Sequence, residues 1–169
     1  MELRPITPED AQAAHEVTMA GFRTYHAFAP TGWEPPADMG AEGATKRLGR
    51  EGAYGVVAVD VDAVVGFAAY EPAREETDEG FAGPLIPGLA HVWAVFVAES
   101  HWGRGVATRL LAALTDHIRT AGFAEARLYV ASRQTRARAF YAREGWRDAT
   151  KPFLVEKLGL ELIEMRRSF

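Results

Sequence analysis

Two glycines flank an arginine just before a long helical pattern in HWGRGVATRLLAALTDHIRTAGF, residues 101–123. Glycine is favoured where the backbone must bend unusually or come close to a ligand. The start of a helix also leaves several N–H groups without an intrahelical acceptor, and these groups can bind an anion. The segment from Gly103 to Thr108 therefore predicts an anion-binding turn, with a purely structural tight turn as the alternative.

Two nucleotide-binding motifs fit this turn poorly. A phosphate-binding loop of the NTPase type ends in Gly-Lys-Ser or Gly-Lys-Thr, and that ending is absent here. The dinucleotide fingerprint requires a third small residue where this chain has Thr108. It also expects an acid after the next strand, where this chain has Ser132. Both nucleotide classes are therefore disfavoured.

The composition argues against several other classes of site and partner. The 169 residues include no cysteine, which excludes disulfides and cysteine-rich metal sites. A formal charge of −4 gives no support for nucleic acid as the main partner. No segment approaches the roughly 18 apolar residues of a membrane span, and the opening MELRPITPED lacks the apolar core of a secretory signal. We therefore expect a cytoplasmic protein. Four histidines show no metal-ligand spacing: His15, His26, His101 and His117.

The hydrophobic pattern predicts a mixed α/β chain organised as a single domain over 1–169. A helix-start signature begins at Thr7, and apolar residues every four positions predict a helix from Val106 to Thr120. A polar connection is predicted over residues 73–88, between the strand hairpin at 54–72 and the strand at 91–97. The predicted strand segments are 2–6, 54–72 (a hairpin), 91–97, 126–132 and 161–169, and a further helix is predicted at 133–145.

Two motifs within 91–146 resemble the GNAT superfamily of acyl-CoA-dependent N-acyltransferases. The hallmark of that family is a strand, a Gln/Arg-Gly-x-Gly-x-Gly/Ala turn and a helix, and WGRGVA matches it with Trp102 at the Gln/Arg place. A second family pattern, Asn-x-x-Ala-x-x-x-Tyr, resembles QTRARAFY with Gln134 in place of Asn and with Ala137 and Tyr141 in register. Two motifs at the expected spacing are specific, and the flanking elements agree in order over the whole chain.

The resemblance implies a fold, a cofactor and a set of binding residues. The implied fold class is α/β, with a mixed, mostly antiparallel sheet of six or seven strands, about four helices and a splayed strand pair that holds acetyl-CoA. Acetyl-CoA serves as co-substrate, and no metal is implied. The implied binding residues lie on the strand before the turn, on the turn itself and at the start of the later helix: Val95, Phe96, Val97, Gly103, Arg104, Gly105, Val106, Ala107, Thr108 and Gln134.

The resemblance also implies transfer of an acetyl group from acetyl-CoA to an amine. The amine must lose a proton, and His91 lies where the family often has a glutamate, so it is the predicted general base. A structural histidine, Glu99 as base, or water alone are the alternatives. Tyr141 matches the family's usual proton donor to the departing thiolate, with core packing as its alternative role.

Other functions remain open at the level of the sequence. A non-catalytic acyl-CoA-binding sensor or regulatory module would carry the same motifs, and an interaction domain without CoA forms a third class. The acceptor is a small-molecule or peptide amine, and homodimers are common in such folds. The connection 73–88 contains four acids that would attract a cationic amine if they border the pocket, with a solvated loop as the alternative: Glu75, Glu76, Asp78 and Glu79.

Overall fold

The computed structural model describes residues 1–35, 40–77 and 82–169, and this part of the chain forms eight strands and four α-helices. The strands are β1 (Glu2–Pro5), β2 (Tyr54–Asp60), β3 (Ala63–Arg74), β4 (Leu85–Val97), β5 (Glu125–Ala131), β6 (Arg147–Asp148), β7 (Phe153–Val155) and β8 (Leu160–Ser168). The helices are α1 (Ala11–Arg23), α2 (Ala41–Leu48), α3 (Val106–Thr120) and α4 (Thr135–Arg143). None of the helices in the described ranges is both long and apolar enough to cross a lipid bilayer.

All described strands join one sheet in the order β1-β2-β3-β4-β5-β8-β6, with β7 also paired to β8. The β4–β5 pair is parallel, whereas the other neighbours are antiparallel. The predicted fold class, a mixed and mostly antiparallel α/β sheet with four helices, is confirmed. The short strands β6 and β7 raise the number of strands to eight, because two or three residues give no readable alternation in a sequence.

The sheet opens between β4 and β5. Their pairing covers only Leu89–Val92 against Glu125–Leu128, although β4 continues to Val97 and β5 to Ala131. A bulge accompanies the opening, since Tyr70 on β3 faces Val92 whereas Ala69 faces Ala94, which leaves Trp93 as the extra residue. The two strands therefore diverge toward their carboxyl ends, and the splayed strand pair that the sequence resemblance implied is present.

The two faces of the sheet carry different helices. On one face α3 buries the predicted stripe of apolar residues, with Leu110, Leu114 and Ile118 fully inaccessible to solvent. On the other face Ala14 of α1 and Leu48 of α2 pack against strand residues. Helix α4 lies at the margin of the α3 face, where its apolar residues join the same core. Any opening in the sheet therefore connects the α3 face with the α1/α2 face.

Strand ends differ most from the prediction around the polar connection. The structure extends β3 to Arg74 and starts β4 at Leu85, so the connection is shorter than the predicted 73–88. The ladder is irregular here, because Pro72 pairs with Ala90 whereas Arg74 pairs with Leu85. Proline and glycine at 87 and 88 are typical of loops, and they concealed this part of β4.

Candidate active site

The glycine turn leads directly into α3. Gly103 and Gly105 have φ angles of +74° and +75°, in the left-handed region that glycine adopts most easily. A Cβ atom at either position would meet no protein atom within 4 Å, so the backbone conformation, not crowding, requires glycine there. The first-turn amides of α3, from Val106 to Thr108, have no acceptor within the helix and lie on the wall of a large cavity. The turn therefore has the backbone geometry that an anion-binding turn needs, and anion binding itself stays a prediction.

Trp102 fixes the turn against the end of β4. Its indole N–H donates a hydrogen bond of 2.7 Å to the carbonyl oxygen of Val97. The guanidinium of Arg136, from the first turn of α4, lies 3.8 Å from the centre of the Trp102 ring. Both side chains line the cavity, whereas Arg104 is exposed and does not. The positive charge beside the turn thus comes from α4 as well as from the turn.

The open edge of β4 presents backbone groups to the gap. The N–H of Ala98 donates to Val65 on the β3 side at 2.9 Å, and backbone direction alternates along an antiparallel strand. Val95 and Val97 therefore direct their N–H and C=O groups away from β3, into the space left by β5. The Phe96 side chain lies on the α1 side, where its ring packs against that of Phe22 with 5.1 Å between the ring centroids. Gln134 forms the N-cap of α4 and also lines the cavity.

The cavity has a volume of about 1040 Å³, at the upper end of the range for small-molecule sites. Its walls come from the glycine turn, from the splayed ends of β4 and β5, and from α4. The end of α1 and the segment from β7 to β8 complete it on the other side. The gap in the sheet thus opens one continuous space between the α3 face and the α1/α2 face.

Tyr141 lies on the cavity wall and also belongs to the α3-side core. Its ring contacts that of Trp146 edge-on, with 6.2 Å between centroids. Burial, and to a lesser degree the neighbouring Tyr25, raise the pKa of the Tyr141 phenol above its ordinary value. The hydroxyl is therefore protonated at neutral pH, as a proton donor must be. This position is compatible with both roles considered from the sequence, proton donation and core packing.

His91 lies on the cavity wall in the middle of the sheet and is 5% exposed. Its neighbours on β3 and β5 are Glu71 and Arg127. Burial first, and then the charges of Arg47 and Arg127, hold the pKa of the imidazole well below 6.5. His91 is therefore neutral at neutral pH. The alternative base Glu99 is exposed and lies outside the cavity wall.

A buried carboxylate holds α2 against the sheet beside His91. Glu71 accepts hydrogen bonds from Arg47 at 2.5 and 3.0 Å and from Arg50 at 2.7 Å. The Arg47 guanidinium also lies 4.5 Å from the centre of the Trp93 ring and reaches the cavity wall. Nothing in the sequence near position 47 pointed to this contact, since it depends on how α2 docks.

The acidic connection is only partly described. Asp78 and Glu79 lie outside the described residues, while Glu75 and Glu76 are exposed and do not line the cavity. The proposed attraction of cationic amines by these acids stays a prediction. Within the described ranges no group of three or more His, Asp or Glu side chains is arranged to hold a metal ion.

A comparison with protein-family models bears on the identity of this site. Residues 19–146 match the model of the acetyltransferase (GNAT) family. The chain belongs to this family. The match contains the glycine turn, His91 and Tyr141, and membership makes the GNAT chain an acyltransferase. The resemblance found in the two sequence motifs is thereby confirmed.

Solved structures show the same GNAT fold over the whole chain. The PaiA N-acetyltransferase of Thermoplasma acidophilum, in complex with coenzyme A, has a TM-score of 0.77 at 14% identity, covering 99% of this chain and 98% of that chain. A ribosomal-protein-alanine N-acetyltransferase from Brucella melitensis has a TM-score of 0.73 at 20% identity, covering 100% of both chains. The yncA protein of Salmonella typhimurium, with its cofactor acetyl-CoA, has a TM-score of 0.71 at 21% identity, covering 99% and 93%. No curated protein sequence matches this chain significantly.

Proposed function

We propose that this GNAT chain transfers the acetyl group of acetyl-CoA directly to a primary amine of a small molecule or peptide. The observation that carries the proposal is the gap between β4 and β5, which joins the glycine turn and Tyr141 on the α3 side with His91 on the α1/α2 side. Direct transfer needs both substrates to meet in one space, and this cavity offers it. Because acetyl-CoA is a cytoplasmic metabolite, the compartment we propose is the cytoplasm.

The residues present fit acetyl-CoA along the length of the gap. The amides from Gly103 to Thr108 would bind the pyrophosphate, supported by the positive end of the α3 dipole. The open backbone edge at Val95 and Val97 would hydrogen-bond the pantetheine amides, with the Val97 carbonyl shared with Trp102. Bound acetyl-CoA supplies an acetyl group activated as a thioester. Gln134 and Arg136 would add polar contacts from α4.

Two side chains would accept and donate the protons that move during acetyl transfer. His91, neutral and on the acceptor side, would take a proton from the amine at an imidazole nitrogen, directly or through a water molecule. Its low pKa makes the imidazole a weak base, because an imidazolium there would be buried beside two guanidinium groups, so the proton would pass on to solvent and not stay on His91. Tyr141 would give its phenolic proton to the departing thiolate sulfur.

The test is the release of free CoA thiol when the purified protein is mixed with acetyl-CoA and a panel of primary amines. An N-acetyltransferase releases thiol only in the presence of an accepted amine, and the rate saturates in both substrates. A protein that binds acetyl-CoA in calorimetry yet releases no thiol with any amine would be the non-catalytic acyl-CoA-binding module instead.

A further inference from the structure

The acceptor side of the cavity is lined mainly by aromatic rings. Six of them come from the end of α1, the chain after it, β4 and β7, and we name them the aromatic wall: Phe22, Tyr25, Phe28, Trp33, Phe96 and Phe153. They lie on the α1/α2 face of the sheet, across the gap from the glycine turn. A molecule that occupies the gap from this face can therefore contact them.

The aromatic wall is an ordered surface. Phe22 meets Tyr25 and Phe96 edge-on, with centroids 5.2 and 5.1 Å apart, and Tyr25 stacks on Trp33 at 5.3 Å. The Trp33 indole N–H donates a 2.7 Å hydrogen bond to the carbonyl oxygen of Leu158, which ties the α1–α2 connection to the segment before β8. Because these contacts already hold the rings in place, the aromatic wall can bind a flat or branched apolar group without a further loss of side-chain entropy.

Arg47 and Tyr129 bring polar groups close to His91, whereas the aromatic wall itself carries only the Tyr25 hydroxyl and the Trp33 indole N–H. Arg47 is engaged by the buried Glu71, and the hydroxyl of Tyr129 donates to Glu164 at 3.2 Å. No aspartate or glutamate of the described ranges lines the cavity. The site thus has a polar corner at His91 for an amine and an apolar surface for the group attached to it.

We propose that the preferred acceptor is a primary amine that carries an aromatic or bulky aliphatic group, which packs on the aromatic wall while its nitrogen lies toward His91. The inference rests on the proposed function and names its substrate class. Each methylene buried on the wall should tighten binding by about fourfold. Polar amines of equal length gain less, because their far end must lose water against the rings.

Strand β7 offers a matched pair of variants. Phe153 lines the cavity, whereas Leu154, the next residue, is 63% exposed and lies off the cavity wall. F153S should weaken binding of an aromatic amine by about tenfold or more, because one face of its pocket is lost. L154S should leave it unchanged. Both variants should keep the affinity of the parent protein for acetyl-CoA, which serves as the check that they are folded.

The experiment is calorimetric titration of the CoA-saturated protein with amines, so that binding is read without turnover. We expect 2-phenylethylamine to bind at least about tenfold more tightly than putrescine, and affinity to rise from ethylamine to butylamine to hexylamine. Equal or tighter binding of putrescine, or equal effects of F153S and L154S, would overturn the inference. Binding of 2-phenylethylamine without thiol release from acetyl-CoA would refute the proposed transfer and leave the aromatic amine site standing.

Discussion

Tyr141 is the residue whose chemistry can be separated most cleanly from its packing. Y141F keeps the ring in the core beside Trp146 and removes only the hydroxyl. We expect kcat to fall by about tenfold or more with the affinity for acetyl-CoA unchanged, since general acids contribute roughly 10² to 10⁴. Steady-state kinetics and calorimetry measure the two quantities.

The matched control is Tyr54, whose ring stacks on His117 of α3 with 3.6 Å between ring centroids and does not line the cavity. Y54F should retain kcat. If Y141F turned over at the parental rate while acetyl transfer was shown to be rate-limiting, Tyr141 would be a packing residue only.

His91 makes the stability of the protein depend on pH in a defined direction. Its pKa lies well below 6.5 when folded, so below pH 6.5 the unfolded chain binds a proton at this residue and the folded chain does not. The free energy of unfolding therefore falls as the pH drops from 6.5 toward the folded pKa. In H91N the part of this fall that comes from residue 91 should vanish. Urea titrations at pH 7 and pH 5 measure the free energy of unfolding of both proteins.

The same variant tests the role of His91 in transfer. If the imidazole assists deprotonation, H91N should lose most activity near neutral pH and regain part of it at high pH, where the amine is already neutral. A loss of the same proportion at every pH would assign His91 to structure alone.

Single residues were predicted unevenly from the sequence. The turn glycines, Tyr141 and His91 occur in patterns with fixed spacing, and the structure brings all of them to one cavity. Arg104 stood out in the sequence by its position between the glycines. In the structure its side chain is exposed and lies off the cavity wall, because the turn directs it outward. Arg136 was one of four arginines in the predicted helix 133–145, and only the docking of α4 reveals that it covers Trp102.

At the scale of the element, helix α3 has a left-handed glycine at each end, which allows a controlled experiment. Gly105 precedes the helix with φ +75°, and Gly122 follows it with φ +90°. Glutamate at either site carries the same backbone strain and the same charge. G105E should weaken acetyl-CoA binding by at least about a hundredfold, because like charges near 4 Å repel by about 4 kcal/mol close to a protein surface.

G122E serves as the control, since it lies at the far end of α3 and off the cavity wall. It should bind acetyl-CoA with the parental affinity, as calorimetry would show. Parental affinity in G105E as well would remove the glycine turn from the account of cofactor binding.

Elements with many apolar residues in register were predicted well, and short or irregular ones were not. The stripe of α3 and the alternation of β5 depend on local periodicity, which a sequence displays. The first half of β4 contains proline and glycine, and its pairing with β3 is irregular, so its strand character depends on tertiary contacts. The gap beside β4 was expected from the family resemblance and not from periodicity.

For the whole molecule, acetyl-CoA should act as a stabilising ligand because it binds only the folded chain. At a concentration of about 100 times Kd the gain is about 2.7 kcal/mol, which corresponds to a rise in Tm of roughly 5–10 °C for a chain of this size. Thermal denaturation followed by circular dichroism measures it. At the same concentration the rise in G105E should shrink to about 1–2 °C or less, and the absence of a rise in the parent protein would argue for an interaction domain without CoA.

The aromatic wall on the acceptor side of the cavity could not be predicted from the sequence. Its rings come from positions as distant as Phe22 and Phe153, and the hydrogen bond from Trp33 to Leu158 spans most of the chain. The aromatic residues at 22–33 were visible in the sequence, but their convergence with β7 is a property of the folded sheet. The residues predicted to bind acetyl-CoA, in contrast, lie within one continuous segment, where the spacing of residues in the sequence is informative.

The central claim is direct transfer of an acetyl group to an amine, and a labelled acetyl group tests it most directly. The protein is incubated with acetyl-CoA that carries deuterium in its acetyl group, together with 2-phenylethylamine and other primary amines, and the products are analysed by mass spectrometry. The account predicts the deuterated acetyl group on the amine nitrogen, with free CoA thiol formed in equal amount. Label recovered only as acetate, or retained in acetyl-CoA with every amine at saturating concentrations, would contradict it.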